Sequence, residues 1–284
     1  MNKQICLITG ATEGIGKVTA MELAKKGFTV VLAARSEAKA KMVKDEITAF
    51  SGRTDTDYIV ADLRSLRQIH QLAETFKRRY GTLDVLINNA GIFMPTRTVT
   101  EDGYETTYQV NYLSHFFLTH LLLGELNRSE QGRIINLSSS VYTMGKFDVD
   151  NLQSEKQFSV MAAYSSSKLF MLMYSIELAN RLRETRITVN ALHPGIVRTQ
   201  MMLGAPGLFK VISYLALPFS ISTQRGAATS VYLATSPNAS GLCGKYFVNS
   251  RITKVNAKFN TVENRELLWN ISMNSLRPFE SVSR

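Results

Sequence analysis

Short apolar runs alternate with longer amphipathic stretches along most of the chain. Ile5–Thr9, Thr29–Ala33, Thr56–Val60, Asp84–Asn88, Arg133–Leu137 and Thr188–His193 read as strands. Each run is apolar on both faces, the pattern of parallel strands covered by helices on both sides. Helical periodicity fills the intervals near 15–26, 36–50, 65–79, 102–127 and 160–184. Repeated β-α-β alternation predicts an α/β fold: a Rossmann-type, doubly wound parallel sheet of about seven strands with helices on both faces. No Pro-, Gly- or Ser-rich linker divides the chain and no internal repeat is visible, so residues 1–284 are expected to form a single domain.

Two of the helices carry more information than their existence. From Tyr112 to Leu126 apolar residues cover almost every face. Such a helix must be buried, either in the sheet–helix core or against another subunit, which makes a homodimer one expectation. From Met161 to Arg183, Leu169, Leu172, Met173, Ile176 and Leu182 form a stripe that reads as core.

Composition narrows the classes. With 45% hydrophobic and 20% charged residues the chain is a globule, neither disordered nor fibrous. Cys6 and Cys243 are far apart and form no C-x-x-C, which excludes a disulfide scaffold or zinc ribbon and points to a reducing, cytoplasmic setting. The first residues lead straight into the first strand without a secretory segment. The longest apolar stretch, Leu208 to Ile221, is interrupted by Lys210, Ser213, Pro218 and Ser220, so no transmembrane segment is expected. The net charge is +10, with residues 245–284 the densest basic zone. The excess is spread without a long basic run, which argues against nucleic acid and leaves an ordinary solvated surface, an anionic cofactor or peripheral membrane contact.

The first strand runs into Thr9-Gly10-Ala11-Thr12-Glu13-Gly14-Ile15-Gly16, and a helix follows near Lys17. Glycines allow this tight turn and let a pyrophosphate approach backbone N–H groups at the positive end of the helix. In that strand–turn–helix context the glycines read as a dinucleotide site. Their G-x-x-x-G-x-G spacing resembles the short-chain dehydrogenase/reductase family. Other motifs carry the same resemblance: Asn88-Asn89-Ala90-Gly91 after the fourth strand, Tyr164-x-x-x-Lys168, and His193-Pro194-Gly195-Ile196-Val197-Arg198-Thr199. The insert Asn151–Lys156, Ser240–Phe247 and Arg265–Ser272 are similar to the retinol dehydrogenase-like branch. The likeness extends over nearly the whole chain, and implies that residues 1–137 mainly bind cofactor while 138–284 carry catalytic and substrate-binding groups.

The resemblance implies cofactor contacts at Thr9, Gly10, Thr12, Glu13, Gly14, Ile15, Gly16, Asp62, Leu63, Asn89, Ala90 and Gly91. Asp62 would meet the adenine amine, although capping of the helix near Ser65 is an equally direct use for it. Pro194, Gly195, Ile196 and Thr199 would close over the nicotinamide, Thr199 bonding its carboxamide. The second strand ends in Ala34-Arg35, where NAD sites usually place an acid for the ribose 2′-OH. Arg35 would instead grip a 2′-phosphate, so NADP(H) is favoured and NAD(H) is the alternative. Glu13 stands where some NADP-using relatives carry a basic residue.

Two Tyr-x-x-x-Lys pairs occur. Tyr142 and Lys146 are interrupted by Gly145 and read as loop, whereas Tyr164 and Lys168 lie in a helical pattern that places both on one face. A phenol beside an ammonium is expected to have its pKa lowered and to exchange a proton with a carbonyl or alcohol oxygen. Ser138, Ser139 and Ser140 compete to orient that oxygen. The serine lies 25 positions before the tyrosine in the branch resembled, which points to Ser139. By resemblance Asn111 holds a proton-relaying water, while on chemical grounds a buried asparagine can equally pin its helix. His193 reads as a packed structural residue. His70, His115 and His120 lack partners at ligand spacing, so no metal site is expected. Met201, Met202, Leu203, Leu208, Phe209, Ile212, Tyr214, Leu215 and Leu217, with Gly204 and Gly207 as hinges, would form either an apolar substrate cover or an ordinary packed helix.

The expected activity is NADP(H)-dependent interconversion of a small-molecule carbonyl and alcohol, on an apolar, retinal-like or other lipophilic substrate. An NAD-linked alcohol or steroid dehydrogenase and a non-catalytic NADP(H)-binding regulator are the alternatives.

Overall fold

The computed structural model describes residues 3–197, 220–256 and 258–280. Eight strands form one sheet in the order β3-β2-β1-β4-β5-β6-β7-β8. They are β1 (Ile5–Thr9), β2 (Thr29–Ala34), β3 (Asp57–Val60), β4 (Val85–Asn88), β5 (Arg133–Leu137), β6 (Thr188–His193), β7 (Lys245–Val248) and β8 (Arg251–Thr253). All neighbours pair in parallel except β7 and β8. The antiparallel β8 is the departure from the expected sheet. Its residues are exposed, and Asn249 and Ser250 supply the two positive φ angles (49° and 59°) that a two-residue hairpin requires.

Strand alternation explains the two cores. In β1, Leu7 faces one way and Cys6 and Ile8 the other, and all are fully buried. Helices α1 (Gly14–Lys25), α2 (Glu37–Ser51) and, further along the chain, α7 (Thr223–Thr235) pack on the Cys6/Ile8 face. On the Leu7 face lie α3 (Leu66–Tyr80), the single turn α4 (Thr106–Tyr108) with the helix that continues it, α5 (Ser114–Asn127), then α6 (Val160–Arg181) and α8 (Val262–Glu280). The strand order reverses between β1 and β4, and in such sheets a crevice opens there at the carboxyl ends.

The stretch expected as one helix over 102–127 begins instead at Thr106, after a bridge between Val99 and Glu105. Glu105 starts it, accepting from the Thr107 and Tyr108 N–H groups at 2.9 and 2.7 Å. Gln109–Leu113 then form a π-helical turn that includes Asn111. Beyond it, Phe116, Phe117, Leu118, Leu122 and Leu126 are buried within the chain itself. Part of their cover is α8. Trp269 lies 4.9 Å from Phe116 and 6.2 Å from Tyr174 between ring centroids, under the Arg181 guanidinium at 4.3 Å. The Tyr112 hydroxyl meets Ser272 Oγ at 2.7 Å in the same seam. The apolar faces that the sequence left to a core or a second subunit are thus occupied from within. Among the described residues no helix is long and apolar enough to cross a membrane.

Candidate active site

A cavity of about 890 Å³ opens at the carboxyl ends of the strands. Its floor is the β1–α1 turn. Gly10 (φ +63°) and Gly14 (φ +57°) take left-handed conformations that side chains resist. A Cβ at Gly10 would stand 2.8 Å from Ala90 Cα, and one at Gly16 would fall on the Asn89 amide and the Gly10 carbonyl. Asn89 Nδ2 donates to the carbonyls of Thr9 (2.8 Å) and Gly10 (3.0 Å), locking the turn against the end of β4. The floor is therefore bare backbone at a helix N-terminus, a fit for a pyrophosphate.

Most of the expected cofactor residues line this cavity: Gly10, Thr12, Glu13, Gly14, Ile15, Gly16, Arg35, Asp62, Leu63, Asn89, Ala90, Gly91, Tyr164, Lys168, Pro194, Gly195 and Ile196. Thr9 does not. It is fully buried behind the turn, where its hydroxyl accepts from the N–H groups of Asn89 (2.9 Å) and Ala90 (3.0 Å) and meets His115 Nε2 at 2.9 Å. Its role is to join β1 to β4. Thr199 and the apolar cover of residues 201–217 lie outside the described residues.

At the far end of the cavity, Arg35, Lys39 and Arg64 present three cations. Arg64 is committed to Asp62, its Nε lying 3.0 Å and its Nη2 2.6 Å from Oδ2, and this pairing holds the Asp62 carboxyl below its usual range. The side chains of Arg35 and Lys39 make no hydrogen bond or ion pair with another described residue. Asp62 does not cap α3. That helix takes its cap from Asp102, whose Oδ2 accepts from Leu66 N at 2.7 Å.

On the other wall stand Tyr164 and Lys168, one turn apart on α6, with Ser139 at the end of β5. Ser138 and Ser139 divide their tasks by direction. Ser138 Oγ donates to the Lys168 carbonyl at 2.7 Å, whereas Ser139 lines the cavity with Tyr164, near enough for its hydroxyl to draw the phenol pKa down. The rival pair separates: Tyr142 is buried in a 3-10 turn, its hydroxyl accepting from Asn256 N, while Lys146 is exposed.

The electrostatics overturn one expectation. Burial pushes the Tyr164 phenol up to about 12, and only the Ser139 hydroxyl pulls it back. Lys168 Nζ sits 5.6 Å from the phenol ring centroid, donates to the Leu137 carbonyl at 2.9 Å, and is itself lowered to about 8 by burial. Desolvation of both groups thus outweighs the attraction between them. His193 lines the same cavity and is lowered to about 4 by burial.

Asn111 is fully buried and does not line the cavity. Its amide clamps backbone: Oδ1 accepts from Ile92 N (2.7 Å), and Nδ2 donates to Ile92 O (3.1 Å) and Ser167 Oγ (3.0 Å). These bonds pin the turn that carries Asn111 to the segment after β4 and to α6. The residues that sequence reasoning missed are Phe93, which stacks on the phenol, Met94, Val141 and Met161, which line the same cavity, and Lys39 and Arg64 at the cationic end. Position relative to the motifs was their only signal. Among the described residues no group of His, Cys, Asp and Glu could hold a metal ion.

The family model described as short chain dehydrogenase matches residues 4–205. The chain belongs to the short chain dehydrogenase family. Among curated members, retinol dehydrogenase 14 of Mus musculus is 38% identical over 289 residues, covering 96% of this chain and 85% of that protein. Retinol dehydrogenase 12 of Bos taurus is 39% identical over 269 residues, covering 95% and 85%. Among solved structures, an uncharacterized protein from Mycobacterium paratuberculosis superposes with a TM-score of 0.77 at 27% identity, over 96% of this chain and 93% of that one. Solved relatives hold either nicotinamide. Actinorhodin polyketide ketoreductase with NADPH (26% identity, TM-score 0.68) covers 86% of this chain and 95% of its own. The 3-ketoacyl-(acyl-carrier-protein) reductase of Brucella melitensis with NADH (23%, 0.68) covers the same shares and shows the fold. This short chain dehydrogenase is therefore an oxidoreductase of the retinol dehydrogenase-like branch, a group that uses nicotinamide dinucleotides.

Proposed function

We propose that the protein reduces an apolar aldehyde or ketone with NADPH, and oxidises the corresponding alcohol in the reverse direction. The observation that carries this reading is the Tyr164–Ser139–Lys168 cluster on the wall of a cavity floored by the glycine turn. When bound, the nicotinamide supplies the hydride. Tyr164 then gives its proton to the carbonyl oxygen, which leaves as alcohol. Ser139 donates to that oxygen as charge develops on it. The raised phenol carries its proton at neutral pH, ready to be given up as charge develops on the carbonyl oxygen. Lys168 holds the ribose and restores the proton, and Asn111 fixes the framework around them.

NADPH is favoured over NADH because Arg35 and Lys39 stand at the cationic end with no hydrogen bond or ion pair to another described residue, while the nearby acid, Asp62, is already paired with Arg64. Met94, Val141, Met161 and Ile196 give the substrate side its apolar character. The alkyl or polyene class follows from those walls and from the retinol dehydrogenases it resembles. Replacing Tyr164 by Phe should leave NADPH binding intact and lower turnover of a lipophilic aldehyde by roughly 10²–10⁴. Turnover near that of the unaltered chain would overturn the assignment.

A further inference from the structure

We propose that Phe93 is a positioning residue for Tyr164: its ring is the platform that fixes the phenol's direction and keeps water from its face. This rests on the reading of Tyr164 as proton donor. The two ring centroids lie 3.9 Å apart at an interplanar angle of 32°, and both rings line the cavity. A tyrosine has two side-chain torsions to fix, and a ring pressed on one face leaves its hydroxyl few alternatives.

The platform is itself held by the group that holds the tyrosine. Asn111 binds both backbone polar groups of Ile92, the residue before Phe93. The same amide donates to Ser167 Oγ, which donates to the Tyr164 carbonyl at 2.7 Å. One buried side chain thus ties the segment after β4 to the turn of α6 that carries the phenol. Moving either would separate the rings, so their stacking is built into the backbone and is not a chance contact of two surface side chains.

An apolar ring against a phenol disfavours phenolate, because the anion loses hydration on that side. The titratable groups that line the cavity with the phenol are Lys168 on its own helix, His193 at the end of β6, Glu13 on the β1–α1 turn, and Arg35, Lys39, Asp62 and Arg64 at the cationic end. None belongs to residues 89–94, so Phe93 acts by exclusion and contact alone.

The test is the titration of the phenol itself. The chain has eleven tyrosines, and the tyrosinate absorbance difference between a protein and its Tyr164→Phe counterpart isolates one. In Phe93→Ala that midpoint should fall by about one pH unit, tenfold more phenolate at a fixed pH. In NADPH-dependent aldehyde reduction kcat should drop about tenfold, a fraction of what general acid catalysis supplies, with NADPH affinity unchanged. Phe93→Tyr should restore both. In a Tyr164→Phe background Phe93→Ala should cost nothing more. An unchanged phenol midpoint, or a loss confined to KM, overturns the proposal and makes Phe93 a wall for substrate. If the alanine variant fails to fold, Phe93→Leu carries the same comparison, with a downward midpoint expected and an unchanged one fatal. Should the unaltered protein reduce no carbonyl, the functional reading falls while the phenol titration still decides this one.

Discussion

Three glycine-to-alanine substitutions separate the two reasons for glycine in this molecule. Gly81 has φ +69° and nothing within 4 Å of an added Cβ, so Gly81→Ala tests backbone conformation alone. That should cost about 1–2 kcal/mol, offset in part by about 0.4–1 kcal/mol from the stiffer unfolded chain. Gly16 has no left-handed φ but no room for a methyl, which would fall on the Asn89 amide and the Gly10 carbonyl. Overpacking there should cost about 1–3 kcal/mol. Gly10 combines both, φ +63° and a Cβ 2.8 Å from the Ala90 backbone, so Gly10→Ala should cost about 2–5 kcal/mol. Each kcal/mol lowers Tm by roughly 2 °C or slightly less in a chain of this size. Differential scanning calorimetry and NADPH titration of all three are the assay. Gly81→Ala should bind NADPH normally, whereas the other two displace the turn and should bind it weakly. Equal Tm losses for Gly10→Ala and Gly81→Ala would refute the claim that the turn is wedged against β4. Normal NADPH binding by Gly16→Ala would refute the claim that the dinucleotide lies on it.

Arg35→Asp should reverse cofactor preference, and an unaltered NADPH-to-NADH ratio of kcat/KM would contradict the role given to the cationic end. His115 is buried and lowered to about 3, and His193 to about 4, so between those values and about 6.5 the unfolded chain binds protons that the folded one does not. Stability should therefore fall as pH drops from about 6.5 toward 3, by up to about 1.4 kcal/mol per pH unit for each histidine, and urea titrations of His115→Gln should show a shallower acid limb. Ser272→Ala leaves the fully buried Tyr112 hydroxyl without its partner and should cost about 1–3 kcal/mol, while Tyr112→Phe/Ser272→Ala should recover part of it by removing both groups.

The strands were legible because parallel strands packed on both faces are apolar throughout, and six of the eight appear as apolar runs within a residue of their observed ends. The exposed β8 carries no such mark. The choice of Tyr164 over Tyr142 followed from helical spacing, since a glycine inside Tyr142–Lys146 does not sustain a helix. The π-helical turn at Gln109–Leu113 was not legible, because its register is set by Asn111 reaching Ile92 and Ser167, contacts made across the fold. Nor was Asp102 as the cap of α3, 36 residues from the N–H it serves. The phenol's rise instead of its expected fall shows the same limit. Spacing puts an ammonium near a hydroxyl, but only the packed surroundings say how much water each has lost.

The indole pressed between Phe116, Tyr174 and the Arg181 guanidinium is the chain's sole tryptophan. Its fluorescence is therefore a single-channel signal from the seam where α8 seats on α5 and α6, uncontaminated by any second emitter of its kind. An observer watching that colour sees whether the closing layer of the core is in place.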